Sequence, residues 1–241
     1  ITSIEGRAEE LAAYYGGASA GLEAVKFVPA SGAATRMFKE LASALANSSP
    51  ADRKDLEKAA AVGDGDAVSA IEYVGKLKKF AFYDELTAAL KKDGLDPDGL
   101  LEAGGYGPFI VYTLDRRGLN YSNLPKGIIK FHSYPDRSRT AFEEHLVEAV
   151  LYARGGDGKA RVHFTLSPEH VEIVSAYIAG VKELYEGGAA EIVAGYSVQS
   201  PSTDTIAAAM DGGPFLDDAG NPVFRPGGHG ALIGNLGALG A

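Results

Sequence analysis

Five short β-prone runs, Val25 to Val28, Phe109 to Leu114, Ile128 to His132, Val162 to Leu166 and Ala190 to Val198, are separated by stretches with helical patterning. No other feature narrows the fold as much. Successive parallel strands need a crossover long enough to hold a helix, so strands alternating with helices predict helices packed on the faces of a mainly parallel sheet. The expectation is a three-layer α/β fold with a mainly parallel mixed sheet. In such sheets ligands sit outside the carboxyl ends of the strands, where the loops at 29–36, 124–127, 199–204 and 225–230 are expected to converge.

The helical stretches have their own signals. Ile4 to Tyr15 reads as an amphipathic helix with Leu11, Ala12 and Tyr15 inward, closed by Gly16-Gly17. Thr35 to Ala46 places Met37, Phe38, Leu41 and Leu45 on one side. Residues 47–105 show no strand pattern and form a helical insertion in a domain that covers residues 1–241, with helices at Pro50 to Ala60, Asp66 to Lys79 and Tyr83 to Lys92. A capping box, Thr140 with Glu143, opens a helix that runs to about Tyr152. Ser167-Pro168-Glu169 starts another that reaches Glu186, with Ser as cap and Pro at the first helical position. Asp217 to Asn221 reads as a hairpin turn.

Composition limits the function classes. The chain has 241 residues, 46% hydrophobic, which is ample for a buried core. A net charge of -9 argues against a general affinity for nucleic acid or an anionic membrane, so any phosphate site is a local basic pocket on an acidic protein. With no Cys, disulfides and thiolate metal sites are excluded, and a reducing cytoplasm is the expected compartment. No apolar run approaches the roughly 20 residues that span a bilayer. The Gly/Ala/Leu stretch from Leu232 to Ala241 reads as a boundary inside a domain.

The stretch Phe27 to Leu41 has the order of a phosphate cradle: an apolar strand, a loop of small residues and a helix. Small side chains let backbone N–H groups approach an anion, and a helix N-terminus adds partial positive charge. The ending of a P-loop and the three glycines of a dinucleotide fingerprint are both absent. A sharp structural turn also uses Gly, Ala and Ser, but it has no need of Arg36, whose fork of donors suits an anion. Lys126, in Leu124-Pro125-Lys126-Gly127, is either a phosphate partner or plain surface. Gln199 carries donor and acceptor together and is either a reader of a base edge or a loop residue bonded to backbone. Gly228, His229 and Gly230 expose backbone ahead of a helical start, as a base or ribose lying flat on the chain requires. The five histidines lack ligand spacing, and His145 and His170 read as solvent-facing. Asp204 and Asp211 are either Mg²⁺ ligands or ordinary turn residues. There is no Gly-x-Ser-x-Gly elbow for serine hydrolysis.

Taken together, Pro-Ala-Ser-Gly-Ala-Ala-Thr-Arg-Met resembles the Gly-x-Gly-Thr-Arg loop of sugar-1-phosphate nucleotidyltransferases, and Leu-Pro-Lys-Gly resembles their Pro-Lys element. Gln199 with Pro201, and Pro-Gly-Gly-His-Gly, resemble the uracil-side Gln and the Gly-His-Gly loop of UDP-sugar pyrophosphorylases. The same segments, with Arg-Thr-Ala-Phe-Glu-Glu-His-Leu, also look like an uncharacterised bacterial domain family of unknown function, from about Leu22 to the end. The resemblance implies a GT-A, Rossmann-like nucleotidyltransferase fold. It also implies Mg²⁺-dependent transfer of a nucleotidyl group, uridylyl by analogy, from an NTP such as UTP to a sugar 1-phosphate. By residue it implies backbone N–H groups of Ser31, Gly32, Ala33 and Ala34 on the phosphates and Thr35 with Arg36 on the leaving pyrophosphate. Lys126 would lie on the reacting phosphates, Gln199 on the base, and Gly228, His229 and Gly230 on base and ribose. The loop departs from the pattern in having Gly32-Ala33-Ala34 where those enzymes have Gly-x-Gly. Their metal-binding Asp is expected beyond Ala241, with Asp204 as a candidate within the chain. The alternative is a catalytically silent nucleotide or nucleotide-sugar binding module.

Overall fold

The computed structural model describes residues 3–48, 50–187 and 190–240. In chain order it begins with helix α1 (Ala8–Ala18), strand β1 (Lys26–Pro29) and helices α2 (Lys39–Asn47), α3 (Arg53–Ala61) and α4 (Gly65–Gly75). Helices α5 (Tyr83–Lys92), α6 (Pro97–Ala103) and α7 (Gly107–Leu114) follow, then strands β2 (Lys130–Ser133) and β3 (Ser138–Thr140) and helix α8 (Ala141–Tyr152). The remainder is β4 (Lys159–Leu166), α9 (Val171–Val181), β5 (Glu191–Val198), β6 (Thr205–Ile206), β7 (Phe224–Arg225) and α10 (Ile233–Gly237). The chain is a mixed α/β protein that divides into two units, one of residues 1–31 with 145–241 and one of residues 32–144.

The first unit is built on a parallel sheet of three strands in the order β1-β4-β5. Along β4, Ala160, Val162, Phe164 and Leu166 are buried, while Arg161 and His163, which point the other way, are only partly covered. This alternation gives one apolar face, and β5 continues it with Ile192. On that face Phe164 lies 6.3 Å from the Tyr196 ring and 6.4 Å from His145 of α8, and α9 contributes buried Val174 and Ile178. Beyond β5 the chain forms short antiparallel arms. Their crossing is fixed by Ala207 N–H to Val223 O (2.8 Å), Phe215 N–H to Ala207 O (2.7 Å) and Val223 N–H to Phe215 O (2.9 Å). Asp217 closes one arm by accepting from Ala219 and Asn221 N–H, both at 2.9 Å, which is the turn that Asp217 to Asn221 predicts.

The second unit is helical around one continuous apolar cluster that includes Leu41, Leu56, Val74, Leu86, Leu90, Phe109 and Ile110. Residues 47–105 hold α3 to α6, with α5 spanning Tyr83–Lys92 as the pattern predicts. The run Phe109 to Leu114 is a helix, α7, and not a strand. It carries Pro108 in its first turn and buries Phe109, Ile110, Tyr112, Thr113 and Leu114, so no polar face interrupts the apolar run and its helical period is invisible. Thr113 Oγ donates to Phe109 O (2.8 Å) and bonds Tyr73 OH (2.5 Å), which satisfies two buried hydroxyls at once. Ile128 to His132 is only in part a strand: β2 pairs with β3 in an antiparallel ribbon outside the parallel sheet, following a 3₁₀ turn at Lys126–Ile128.

Two other boundaries differ from expectation. Helix α1 runs through Gly16-Gly17 to Ala18 and buries no residue, so Leu11, Ala12 and Tyr15 do not form a core face. After β4, Pro168–His170 is a 3₁₀ turn ahead of α9, and the Ser167 hydroxyl donates to Ser31 O (2.7 Å) instead of capping. The tighter turn shifts the helical phase, and His170, expected to face solvent, is buried. The Thr140–Glu143 capping box is present in full: Thr140 N–H to Glu143 Oε2 at 2.7 Å and Glu143 N–H to Thr140 Oγ at 3.2 Å.

Candidate functional site

The loop after β1 does not continue directly into a helix. Residues 35–38 make a turn, with Met37 N–H donating to Ala34 O (2.8 Å), and α2 begins only at Lys39. A helix N-terminus at Thr35 is therefore corrected, and any anion held at the loop is held by loop amides and side chains. In the second unit the loop is tied to Leu124-Pro125-Lys126 by an antiparallel bridge between Ala33 and Pro125. Ala34 N–H donates to Leu124 O (3.2 Å), and Lys126 N–H donates to Gly32 O (2.9 Å). Two of the motifs that the sequence separates by about ninety residues are thus neighbours.

This pairing decides which loop amides are committed. Ala34, fully buried, has its N–H on Leu124 and is not a free donor. The N–H groups of Gly32, Ala33, Thr35 and Arg36 reach no acceptor among the described residues, and these four residues are exposed. Successive free amides of this kind form a concave set of partial positive charges. The exposed side chains of Arg36 and Lys126 make no ion pair among the described residues, in a protein with nine more acids than bases. Gly127, which follows Lys126, is required by packing, because a Cβ there would run into the ring of buried Phe142. Gly32 has a different setting, with an ordinary backbone angle and nothing within 4 Å of where a Cβ would be.

In the first unit Ser31 is half-buried and its carbonyl accepts from Ser167. At the carboxyl end of β5 lies a second set. Gln199 Nε2 donates to Thr203 Oγ (3.0 Å) and to Gly227 O (3.3 Å), which uses the donor end of the amide on the scaffold. Its Oε1 has no hydrogen-bond partner among the described residues, so Gln199 presents an acceptor. Gly227 is demanded by the fold, since a Cβ would stand 2.6 Å from Thr203 O. Gly228 and Gly230 are not: both are exposed, neither has a positive φ, and nothing lies within 4 Å of either Cβ position. His229 is exposed at the start of a 3₁₀ turn, His229–Leu232, that leads into α10. Asn235 Nδ2 anchors α10 on Ser197 Oγ and Val198 O, both at 2.9 Å.

Sequence reasoning did not single out the neighbouring pair His163 and Ser197. His163 Nε2 lies 2.9 Å from Ser197 Oγ, its ring stacks on Phe27 at 5.9 Å, and burial lowers its pKa. The alternation along β4 and β5 was the available signal, because it puts both side chains on the less covered face.

The acidic candidates are turn residues. Asp204 N–H donates to Pro201 O (3.1 Å) at the end of a 3₁₀ turn, and Asp211 Oδ1 accepts from Gly213 N–H (3.0 Å). Among the described residues no three His, Cys, Asp or Glu side chains are gathered where a metal ion could sit. None of the described helices is long and apolar enough to cross a membrane.

No curated protein and no solved structure matches this chain. Across residues 1–241, the free-amide loop, the Pro-Lys element and the Gly-His-Gly turn included, the chain fits the family described as Domain of unknown function (DUF4301), to which the protein belongs.

Proposed function

We propose that this protein is a nucleotidyltransferase-like enzyme of GT-A, Rossmann-like type, which transfers a nucleotidyl group, uridylyl in the first instance, from an NTP to a sugar 1-phosphate. The observation that carries this reading is the set of donors in the second unit that are uncommitted among the described residues: the N–H groups of Gly32, Ala33, Thr35 and Arg36, with the side chains of Arg36 and Lys126. Such donors suit a triphosphate, whose oxygens accept from closely spaced amides and whose charge a guanidinium and an ammonium offset. In the reaction an oxygen of the sugar phosphate attacks the α-phosphorus of the NTP, the bond to the β-phosphate breaks, and pyrophosphate leaves. Arg36 stabilises the charge that accumulates on the pyrophosphate, and Lys126 offsets the repulsion between the two reacting phosphates.

The first unit, taken by itself, offers an open acceptor at Gln199 Oε1, which suits a base with an N–H donor at the matching edge. Uracil has one at its ring imide. Gly228 and Gly230 leave room for a flat ring on the backbone beside His229. The reading expects Mg²⁺ to neutralise phosphate charge. Among the described residues no three His, Cys, Asp or Glu side chains are gathered for it. The commitment of the Ala34 N–H to Leu124 O, which leaves the loop one donor short, favours a second reading, a silent module that binds UTP or a UDP-sugar without turnover.

The test is pyrophosphate release from UTP with a panel of sugar 1-phosphates and Mg²⁺, alongside UTP binding by calorimetry. Arg36→Ala and Lys126→Ala are each expected to lower turnover by about 10²-fold or more. Binding without release supports the silent module. Release that is unchanged in both variants overturns the residue assignments, and absence of any binding heat overturns both readings.

A further inference from the structure

Within the second unit, apart from the loop amides, lies a cavity of about 370 Å³. Its wall is aromatic and aliphatic, with Phe80, Phe82, Phe131, Leu41, Ile129 and Met37. The wall is built and held. Phe80 stacks on Phe82 at 5.1 Å and on Tyr73 at 5.3 Å, Phe82 meets Tyr121 edge-on at 5.3 Å, and the Tyr73 hydroxyl is bonded to Thr113. The space falls in the range of about 300–1,000 Å³ typical of small-molecule sites, which are apolar with a few polar groups to orient the ligand. Met37 and Phe131 are about half exposed at the same cavity, at 49% and 51%, so apolar surface is open to an incoming group.

The charged groups on the lining set the kind of ligand. Lys130 Nζ is bonded to Glu85 (2.6 Å) and is already neutralised. Lys79, at the end of a 3₁₀ turn beside Phe80, has no acid partner among the described residues. Glu40, the lining's single acid, is exposed on α2 and is equally uncommitted. An unpaired acid is ordinary on a protein with 32 acids and 23 bases, whereas a cation left open beside stacked aromatic rings marks a place for an anion. We infer that this cavity binds a small amphipathic acid, with a ring-bearing or short apolar body against the phenylalanines and its acidic group on Lys79. The inference does not depend on the nucleotide reading above.

The probes are anilinonaphthalene sulfonate, a ring body with an acidic group, and phenylnaphthylamine, the same body without the charge. The first is expected to bind saturably at one site per chain, and saturating UTP is expected not to displace it. Lys79→Gln should weaken the sulfonate about tenfold and leave the neutral probe unchanged. Ser69→Trp and Ala81→Trp, which fill the space from two sides, should abolish binding of both probes while retaining a cooperative thermal transition. Should either filled variant lose that transition, the Lys79→Gln contrast decides alone, because the side chain is exposed. Non-saturable binding, equal effects of Lys79→Gln on both probes, displacement by UTP, or undiminished binding in a folded filled variant would each overturn the proposal.

Discussion

The cluster of the second unit and the segment 199–240 of the first are held together by different forces. In the cluster, side chains such as Leu56, Leu86, Leu90, Phe109 and Ile110 are wholly excluded from solvent. In segment 199–240, Leu232 is the one buried hydrophobic residue, while Ile206, Phe215, Leu216 and Phe224 remain about half exposed or more. What orders that segment is polar: the backbone triad of Ala207, Phe215 and Val223, the Asp217 turn, and the amides of Gln199 and Asn235. Burial is roughly proportional to area and indifferent to direction, whereas hydrogen bonds fix direction at modest net stability. The difference teaches that the buried cluster and the exposed, hydrogen-bonded segment respond to opposite kinds of substitution.

Volume loss in the cluster is the strongest way to break this comparison. Phe109→Ala should cost about 3–5 kcal/mol of unfolding free energy, from transfer and cavity terms together. Phe224→Ala, on an exposed arm, should change it by no more than about 0.5 kcal/mol. Urea unfolding measures both, and equal losses would show that the arm is packed as tightly as the core.

Next in size is the capping box. Glu143 is buried and accepts from Thr140 N–H, so Glu143→Ala leaves a helix N-terminal donor without that acceptor and should cost about 1–2 kcal/mol. Glu143→Gln keeps an acceptor oxygen and should recover most of it. If the two variants melt together, the carboxyl is not what holds the end of α8.

Smaller still in stability, though larger in local order, is Gln199→Ala. Loss of the bonds to Thr203 and Gly227 should cost about 1 kcal/mol. Amide exchange at Gly228 to Ala231 should accelerate while exchange in α5 and α7 stays unchanged. Protection at 228–231 equal to that of the unaltered protein would show that the loop is not positioned by this side chain.

The parts legible in the sequence were those whose signal is local. The Thr140–Glu143 box, the Asp217–Asn221 turn and the bounds of α5 each depend on residues within a few positions of one another, so tertiary context had little to override. β1, β4 and β5 were legible because their edges are marked by Gly or Pro. Helix α7 was not, since a helix covered on every side has the same apolar run as a buried strand. His170 was misplaced by a single 3₁₀ turn. At the candidate site the sequence supplied the residue types, but not their commitments. That Ala34 N–H belongs to Leu124, that Gln199 has used its donors, and that Gly228 and Gly230 have empty Cβ space are facts of long-range pairing, which no local pattern contains.

Acid tests the same distinction between polar ties and apolar burial at another place in the first unit, because a hydrogen-bonded carboxylate can be protonated and an apolar side chain cannot. Asp157, ahead of β4, takes a two-pronged bond from Arg161, with Nη2 on Oδ2 at 2.5 Å and Nη1 on Oδ1 at 3.2 Å. Oδ1 also accepts from Lys159 N–H at 3.0 Å, and Arg161 reaches on to Glu23 at 2.9 Å. The Arg161 bond, with the Lys159 amide behind it, holds the Asp157 carboxyl at about 2, below its ordinary 3.8. A depressed carboxyl means that the charged form is favoured in the folded state. Its stabilisation is therefore complete above the ordinary value and is lost as pH falls from 3.8 towards 2. Asp157→Asn removes that dependence, so a plot of melting temperature against pH should fall less steeply between about 4 and 2 in the variant than in the unaltered protein. The contrast should shrink in high salt, because the pair is partly exposed. Parallel curves over that interval would place the acid-sensitive tie elsewhere.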